Sequence, residues 1–160
     1  MIEIERKYLV NSNNYRSMAY SESRIVQGFL NSHPDRVVRI RIADDSAFLT
    51  VKGTSNPAGT SRFEWEKKIP VAEAKLLLEL CEKDILEKIR YCVRIGTHII
   101  EVDEFLGSNQ GLVIAEIEIE NEDDKIEVPE WIGLEVTGDI KYYNSQLSKC
   151  PFSEWKGSNT

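Results

Sequence analysis

The sequence is poor in the residues that build disulfide scaffolds and zinc sites. Its 160 residues include only three cysteines and two histidines. Cys81, Cys92 and Cys150 are scattered and form no Cys-x-x-Cys pair, and neither His33 nor His98 lies near a cysteine in the sequence. No zinc-binding signature is therefore present. An odd, dispersed set of cysteines is typical of reduced thiols, so we expect a cytoplasmic protein.

Long apolar runs and an excess of basic residues are also missing. No stretch approaches the roughly 20 apolar residues of a transmembrane helix, and no apolar signal region precedes the first charge at Glu3. The formal net charge is −7, from 27 acidic and 20 basic residues. This balance argues against a non-specific grip on nucleic acid or on an anionic membrane. We expect neither as a partner.

The chain is long enough for one domain with a sizeable core. Hydrophobic residues make up 41% of the sequence and charged residues 29%, which is ordinary for a soluble globular protein with some excess of charge. No internal repeat, linker or low-complexity segment interrupts it. We expect a single domain over residues 1–160.

Alternating polar and apolar residues, the pattern of β-strands, run through most of the sequence. They predict about eight strands with short connections, which favour antiparallel pairing. The first strand lies around 3–7, and the others are expected at 23–32, 36–43, 46–53, 62–70, 85–95, 97–105 and 112–121. Residues 11–22 are expected to form a polar loop with one helical turn.

One segment has the composition of a helix. Residues 71–84, VAEAKLLLELCEKD, follow a proline and are rich in Ala, Leu, Glu and Lys. That composition predicts a helix over the whole range. A shorter helix is expected in the tail, at 140–149.

The alternation gathers charged residues on one face of most strands. In the first strand, Glu3, Glu5 and Lys7 alternate with other residues and so share a face. The later strands add Arg39, Arg41, Thr50, Lys52, Arg62, Glu64, Glu66, Lys68, Lys88, Arg90, Arg94, Glu101, Asp103, Glu116, Glu118 and Glu120. Such faces are commonly solvated, with the apolar faces packed into a sandwich core. For any single strand that interpretation stays open.

The set as a whole favours a different arrangement. Carboxylates and basic residues recur at i and i+2 with little neutral filler, and arginine is preferred on several strands, as expected where oxyanions are bound by planar guanidinium groups. Eight strands can close into a barrel around a ligand-sized interior. We therefore predict polar faces that point into a water-filled lumen, with apolar faces outside that the helix at 71–84, the tail and loops cover.

Carboxylates crowded in one lumen repel each other, and so do arginines. A ligand with many negative charges, accompanied by divalent cations, would stabilise both sets. Hard carboxylate oxygens suit Mg²⁺ or Mn²⁺, and a polyphosphate suits the basic set. The pattern thus predicts metal-assisted chemistry on a phosphate chain without specifying the substrate.

Eight segments, in order along the chain, carry a family resemblance. They are EIERK (3–7), RIR (39–41), TVKG (50–53), RFEWEKKI (62–69), EKIRY (87–91), EVDEF (101–105), AEIEIE (115–120) and EVTGDIKYYNSQLS (135–148). Together they resemble the CYTH superfamily, also called triphosphate tunnel metalloenzymes, whose ExExK signature EIERK matches. The resemblance implies a mainly β (α+β) fold, an eight-stranded antiparallel closed β-barrel with a few flanking helices.

The resemblance also implies roles for residues at matching positions. The expected metal ligands, for two Mg²⁺ or Mn²⁺ ions, are Glu3, Glu5, Glu66, Asp103, Glu116 and Glu118. The expected triphosphate-binding residues are Lys7, Arg39, Arg41, Lys52, Arg62, Lys88, Arg90 and Lys141, the last closing on the substrate from the tail. The expected catalytic residues are Glu5, Glu118, Glu64 and Lys88. Glu64 fits either the metal shell or the ordering of water, and the carboxylate that orients the attacking water is left open.

Within the family, the short single-domain form looks most like the small bacterial tripolyphosphatases. The expected reaction is hydrolysis of inorganic tripolyphosphate to pyrophosphate and phosphate, with ATP or thiamine triphosphate as other substrates. An adenylate cyclase is the alternative, but no aromatic or amide group for adenine is evident, since Phe63, Trp65 and Tyr91 are expected to face outward. A non-catalytic polyphosphate-binding module also stays open, as does a homodimer formed through the apolar outer face.

Overall fold

The computed structural model describes residues 1–155, so the last five residues of the expected 1–160 domain lie outside the described residues. The strands are β1 (Ile2–Val10), β2 (Ser21–Asn31), β3 (Arg36–Ala43), β4 (Ser46–Ser55), β5 (Ser61–Ile69), β6 (Leu86–Ile95), β7 (His98–Phe105), β8 (Val113–Glu118) and β9 (Ile132–Glu135). The α-helices are α1 (Tyr15–Met18), α2 (Val71–Leu78) and α3 (Asn144–Leu147). Short 3₁₀ turns occupy Gly107–Asn109, Ile140–Tyr142 and Phe152–Glu154.

Eight of the strands close into an antiparallel barrel, which confirms the predicted architecture. The order is β5-β4-β3-β2-β6-β7-β8-β1, and β1 pairs with β5 to complete the circle. The long β1 strand uses Ile2–Ile4 to pair with β5 and its later residues to pair with β9. The ninth strand was not predicted, because its four residues are too short to show a period.

Several element ends differ from the sequence prediction, among them the tail helix expected at 140–149, which is limited to Asn144–Leu147. Side-chain hydrogen bonds explain two of the other differences. The helix expected over 71–84 ends at Leu78, because the chain then turns so that the Glu82 carboxylate can accept hydrogen bonds from the backbone and hydroxyl of Ser32. The strand expected to reach residue 121 ends at Glu118. There the Asp124 carboxylate accepts from two backbone N–H groups and closes a turn.

Apolar side chains cover the outside of the barrel. One buried cluster, which includes Val102, Ile117 and Trp131, lies on the outer face of β6, β7 and β8. A second lies beneath α2, where Ala74 packs against Ile40 and other residues of β2–β4. The predicted packing of the helix on the barrel exterior is therefore confirmed. No helix among residues 1–155 is long and apolar enough to cross a membrane.

One end of the lumen is apolar, so water can fill only the remaining part of the predicted lumen. Phe105 lies opposite Lys88 in the sheet and Ile114 lies opposite Asp103, so both apolar side chains share the inward face with charged ones. They belong to a buried apolar plug formed by Phe29, Val37, Leu86, Phe105, Leu112, Ile114, Val136, Tyr142 and Leu147. The tail supplies the last two of these residues. It therefore closes the barrel end, and does not merely cover the outside.

Candidate active site

A charged cavity of about 180 Å³ occupies the rest of the lumen. Its lining carries seven glutamates and seven basic residues, so the formal charges cancel. The glutamates are Glu3, Glu5, Glu64, Glu66, Glu101, Glu116 and Glu118, and the basic residues are Lys7, Arg39, Arg41, Lys52, Arg62, Lys88 and Arg90. All of the predicted site residues except Asp103 and Lys141 thus lie together around one cavity.

The strand register explains this convergence. Directly paired residues of neighbouring strands point to the same face, and Glu5 pairs with Glu118 while Lys7 pairs with Glu116. On the other side of β1, Lys52 of β4 pairs with Glu64 of β5. Alternation within each strand and pairing between strands therefore bring acidic and basic side chains into the same lumen.

Two arginines on β3 share one carboxylate. Nη2 of Arg39 and Nη2 of Arg41 both lie 3.5 Å from Oε2 of Glu66, which also accepts a 2.7 Å hydrogen bond from the Thr50 hydroxyl. Burial, reinforced by repulsion from Arg41, lowers the pKa of Arg39 to about 10. The Nε atoms of both arginines are buried without a hydrogen-bond partner among residues 1–155. Unpartnered donors of this kind fit an anionic ligand.

Asp103 lies behind the cavity and not on its lining. Its Oδ1 accepts from Nε of Arg90 at 2.8 Å, and its Oδ2 accepts from Nη2 of Arg90 at 2.9 Å and lies 2.8 Å from Nζ of Lys88. Burial alone would raise the pKa of Asp103, but the two cations outweigh it and the pKa is lowered. Burial lowers the pKa of Lys88 to about 8 in spite of this pairing. Both Asp103 oxygens are thus engaged in orienting two cations that border the cavity.

Nearby cations do not fully balance the carboxylates of Glu5 and Glu118 in the cavity lining. Burial first, and then repulsion from Glu116 and Glu3, raise the pKa of Glu5 well above its usual range. Burial together with Glu3 and Glu101 likewise raises the pKa of Glu118. Glu116 differs, because Lys7 and two further cations outweigh its burial and lower its pKa. A cation bound among these carboxylates would relieve the repulsion that Glu3 and Glu116 exert on both Glu5 and Glu118.

The donor set fits a hard divalent cation in kind. Its ligands are carboxylate oxygens, which Mg²⁺ and Mn²⁺ prefer. Over residues 1–155, however, no three potential ligands are gathered closely enough to form a ready-made metal cluster. The lack of such a cluster agrees with the usual coordination of Mg²⁺, in which one or two carboxylates bind the ion and water and substrate phosphates complete its shell.

The tail contributes lining residues to which the sequence had assigned no role. Tyr143, Asn144 and Ser145 all border the cavity. Oδ1 of Asn144 accepts 2.8 Å hydrogen bonds from Nζ of Lys88 and from Nε2 of Gln27, so it fixes the floor of the cavity. These residues fall within the YYNSQLS segment of the family resemblance, which was the available signal, but strand alternation does not extend to them.

Lys141, the other tail residue, does not reach the cavity lining. Its Nζ lies 4.7 Å from the ring centroid of Trp155 and 5.1 Å from that of Tyr142.

Glu101 is a lining residue to which the sequence analysis assigned no role. Alternation placed it on the inward face without a role, and it lines the cavity and accepts a 3.0 Å bond from Nη1 of Arg90.

Comparison with known proteins agrees with this geometry. An inorganic triphosphatase from Acetivibrio thermocellus is 48% identical over 155 residues, which cover 96% of this chain and 97% of that protein. The solved structure of the inorganic triphosphatase NE1496 superposes with a TM-score of 0.65 at 30% identity, over 91% of this chain and 93% of that one. A Hippeastrum protein described as having a dominant triphosphatase activity has a TM-score of 0.59 at 14% identity, over 74% of this chain and 80% of its own, and shares the fold.

The CYTH domain family itself matches residues 1–149. That match spans the barrel, the acidic and basic walls and the tail residues that border the cavity. Together with the 48% identity over almost the full chain, it shows that this protein belongs to the CYTH domain family.

Proposed function

We propose that the chain is a divalent-metal-dependent triphosphatase that hydrolyses inorganic tripolyphosphate to pyrophosphate and orthophosphate. The observation that carries the proposal is the lumen, in which seven carboxylates and seven basic side chains surround one small cavity. The names of two relatives, each an inorganic triphosphatase, support the same reaction.

The size and lining of the cavity favour a compact polyanion over a nucleotide. About 180 Å³ is less than the roughly 300–1,000 Å³ typical of pockets for drug-sized ligands. Its two aromatic lining residues are Phe29 and Tyr143. Phe29 belongs to the buried apolar plug, and the ring of Tyr143 is contacted by Lys7 and Arg62. The outward position predicted for Phe63, Trp65 and Tyr91 agrees with their absence from this lining.

Seven basic residues are proposed to bind the phosphate chain, and they are Lys7, Arg39, Arg41, Lys52, Arg62, Lys88 and Arg90. The buried Asp103 holds Lys88 and Arg90 in place before substrate arrives. Because preoriented cations need no reorganisation during the reaction, Lys88 and Arg90 can stabilise negative charge on the phosphoryl group that is transferred. We assign Asp103 a positioning role in place of the metal-ligand role that the family resemblance implied.

Glu3, Glu5, Glu116 and Glu118 are proposed to hold two Mg²⁺ or Mn²⁺ ions. Because the lining is formally neutral, a polyanion needs accompanying cations. Burial, together with repulsion from neighbouring carboxylates, raises the pKa values of Glu5 and Glu118, and this supports a cation site at these residues. When bound, such ions neutralise phosphate oxygens and polarise the phosphoryl group. Glu66 is proposed as a further metal ligand, although it already pairs with two arginines.

Glu64 is proposed to orient the attacking water. Its Oε2 lies 3.3 Å from Nζ of Lys52, which holds the carboxylate at the cavity wall. Lys52 is held from its other side by Oε1 of Glu3 at 2.9 Å. A carboxylate anchored in this way can accept a proton from water as the phosphoanhydride bond breaks.

The proposal is tested by measuring phosphate release from tripolyphosphate, ATP and thiamine triphosphate with Mg²⁺ and with Mn²⁺, and cyclic AMP in parallel. Tripolyphosphate is expected to be the best substrate, and activity is expected to require the metal. Cyclic AMP formation without tripolyphosphate hydrolysis would contradict the proposal and indicate a cyclase. Thermal stabilisation by tripolyphosphate without turnover would instead indicate a binding module.

The oligomeric state and the cellular location are two further parts of this proposal. The outer face where β1 meets β5 leaves Ile2 and Phe63 exposed and directly paired, and the predicted homodimer is proposed to use this face. Light scattering at several concentrations tests the homodimer. The cytoplasmic location stays a prediction, which fractionation of cells would check.

A further inference from the structure

One cation of the cavity is held differently from the others. Lys7, Arg39, Arg41, Lys52, Lys88 and Arg90 each have a carboxylate oxygen within 4.0 Å. Within residues 1–155, the Arg62 guanidinium has no carboxylate at that distance. Its Nη1 is also buried without a hydrogen-bond partner there. Arg62 therefore faces the cavity with its charge uncancelled.

The aromatic ring of Tyr143 takes the place of a carboxylate. Cζ of Arg62 lies 5.4 Å from the ring centroid, and Nζ of Lys7 lies 4.9 Å from the same centroid. Such distances are those of cation–π contacts, which orient a cation without neutralising it. Lys7 has further partners in Glu116 and the carbonyl of Tyr142, whereas Arg62 depends on the ring.

Two loops border the ring of Tyr143. The Tyr143 hydroxyl lies 3.5 Å from Oγ of Ser55. Just beyond it, Gly59 and Gly138 touch so closely that a Cβ on Gly59 would lie 2.2 Å from the Gly138 Cα and 3.5 Å from the Tyr143 hydroxyl. The loop between β4 and β5 is thus packed backbone to backbone against the segment that leads to Tyr143.

Tyr143 and Arg62 also stand where two cavities meet. Both residues line the main cavity and a side cavity of about 20 Å³, which Glu5 and Lys7 border as well. A polar cavity of that size holds a single water molecule. Arg62 is therefore placed at the wall that separates the main cavity from a water-sized space.

We propose that Tyr143 is a positioning residue that holds Arg62 for the substrate without neutralising it. A phosphate that binds a carboxylate-paired arginine must compete with the carboxylate. A phosphate that binds Arg62 has no such competitor within 4.0 Å among residues 1–155. Arg62 is then the cation that captures a terminal phosphoryl group, and Tyr143 determines where that group sits. The inference rests on the proposed triphosphatase function, and it adds a role for this tyrosine.

The test compares Tyr143→Leu, which removes the ring, with Tyr143→Phe, which keeps it. Tyr143→Leu is expected to raise the KM for tripolyphosphate by about 2- to 30-fold with little change in kcat, the range that a cation–π contact provides. Because uniform binding is lost, the effect belongs in KM. Tyr143→Phe is expected to restore KM to within about twofold of the wild type, since the hydroxyl contact at 3.5 Å is weak.

A matched control and a double-mutant cycle separate positioning from folding. Tyr20 packs its ring 5.5 Å from Cζ of Arg94 and is exposed on the outer surface, so Tyr20→Leu should leave KM unchanged. In an Arg62→Gln background, Tyr143→Leu should add little further effect, since the cation that depends on the ring is already gone and Lys7 keeps Glu116 and the carbonyl of Tyr142 as partners. A purely structural role for Tyr143 would instead lower the thermal midpoint and add fully to Arg62→Gln.

The outcomes distinguish this inference from the proposed function. If the wild type neither hydrolyses tripolyphosphate nor is stabilised by it, the proposed function fails and this inference fails with it. If the wild type is active but Tyr143→Leu matches it in KM, or if the two substitutions are additive, only the role of Tyr143 is overturned. A raised KM that Tyr143→Phe restores and that Arg62→Gln masks supports the proposal.

Discussion

Asp103 is expected to be a residue on which the stability of the barrel strongly depends. The residue is 1% exposed, and its carboxylate faces the buried Lys88 and the partly buried Arg90. Asp103→Asn keeps the shape but removes the charge and turns an N–H₂ group toward those cations. Removing one partner of a buried ion pair costs about 3–5 kcal/mol. At about 2–4 °C per kcal/mol for a domain of this size, Tm should fall by about 6–20 °C.

Thermal unfolding followed by circular dichroism measures this loss, with Asp123→Asn, an exposed aspartate, as the control. The loss should shrink above about pH 8, where Lys88 releases its proton. It should not vanish, because Arg90 stays charged. A Tm within about 2 °C of the wild type, equivalent to less than about 1 kcal/mol, would refute the claim that Asp103 holds these two cations.

Two further predictions concern stability outside the cavity lining. Burial would raise the pKa of Glu104, but hydrogen bonds from Arg16 and a tyrosine hydroxyl outweigh it and lower the pKa. The stabilisation that Glu104 provides is therefore present above the ordinary glutamate pKa and is lost as the pH falls through the lowered pKa of the folded state. The difference in Tm between the wild type and Glu104→Gln should accordingly disappear in acid. A Tm difference that persists in acid would contradict this prediction. Gly59→Ala should lower Tm far more than Gly107→Ala, since both have positive φ but only Gly59 meets backbone, at Gly138; equal losses would argue against the backbone contact.

The barrel was predictable because each long strand carries a strong two-residue period. Arg39 and Arg41 alternate with Val38, Ile40 and Ile42, and such a pattern fixes which residues share a face. A short strand such as Ile132–Glu135 carries too few residues for a period to show. Helix and strand ends were also missed, because contacts such as that of Glu82 with Ser32 join residues far apart in the sequence.

The sequence predicted which side chains point into the barrel, but not how far along the barrel axis each one lies. Alternation places Lys88 and Leu86 on the same inward face, yet Lys88 borders the cavity while Leu86 belongs to the apolar plug. Asp103 lies at that boundary and therefore faces cations and not the cavity. Tyr143 was missed as a lining residue because its place depends on the tail packing into the barrel end, which no local period records.

The decisive measurement is the metal dependence of tripolyphosphate hydrolysis in Glu5→Gln and Glu118→Gln. These substitutions keep the side-chain shape and remove the charge that is proposed to hold the metal, and exposed Glu130→Gln serves as the control. Metal ions supply several kcal/mol of transition-state stabilisation, so the rate at saturating Mg²⁺ should fall by at least about 100-fold in both variants. The control should match the wild type. Metal-dependent turnover at the wild-type rate in Glu5→Gln and Glu118→Gln would contradict the assignment of this lumen as a metal-assisted triphosphate site.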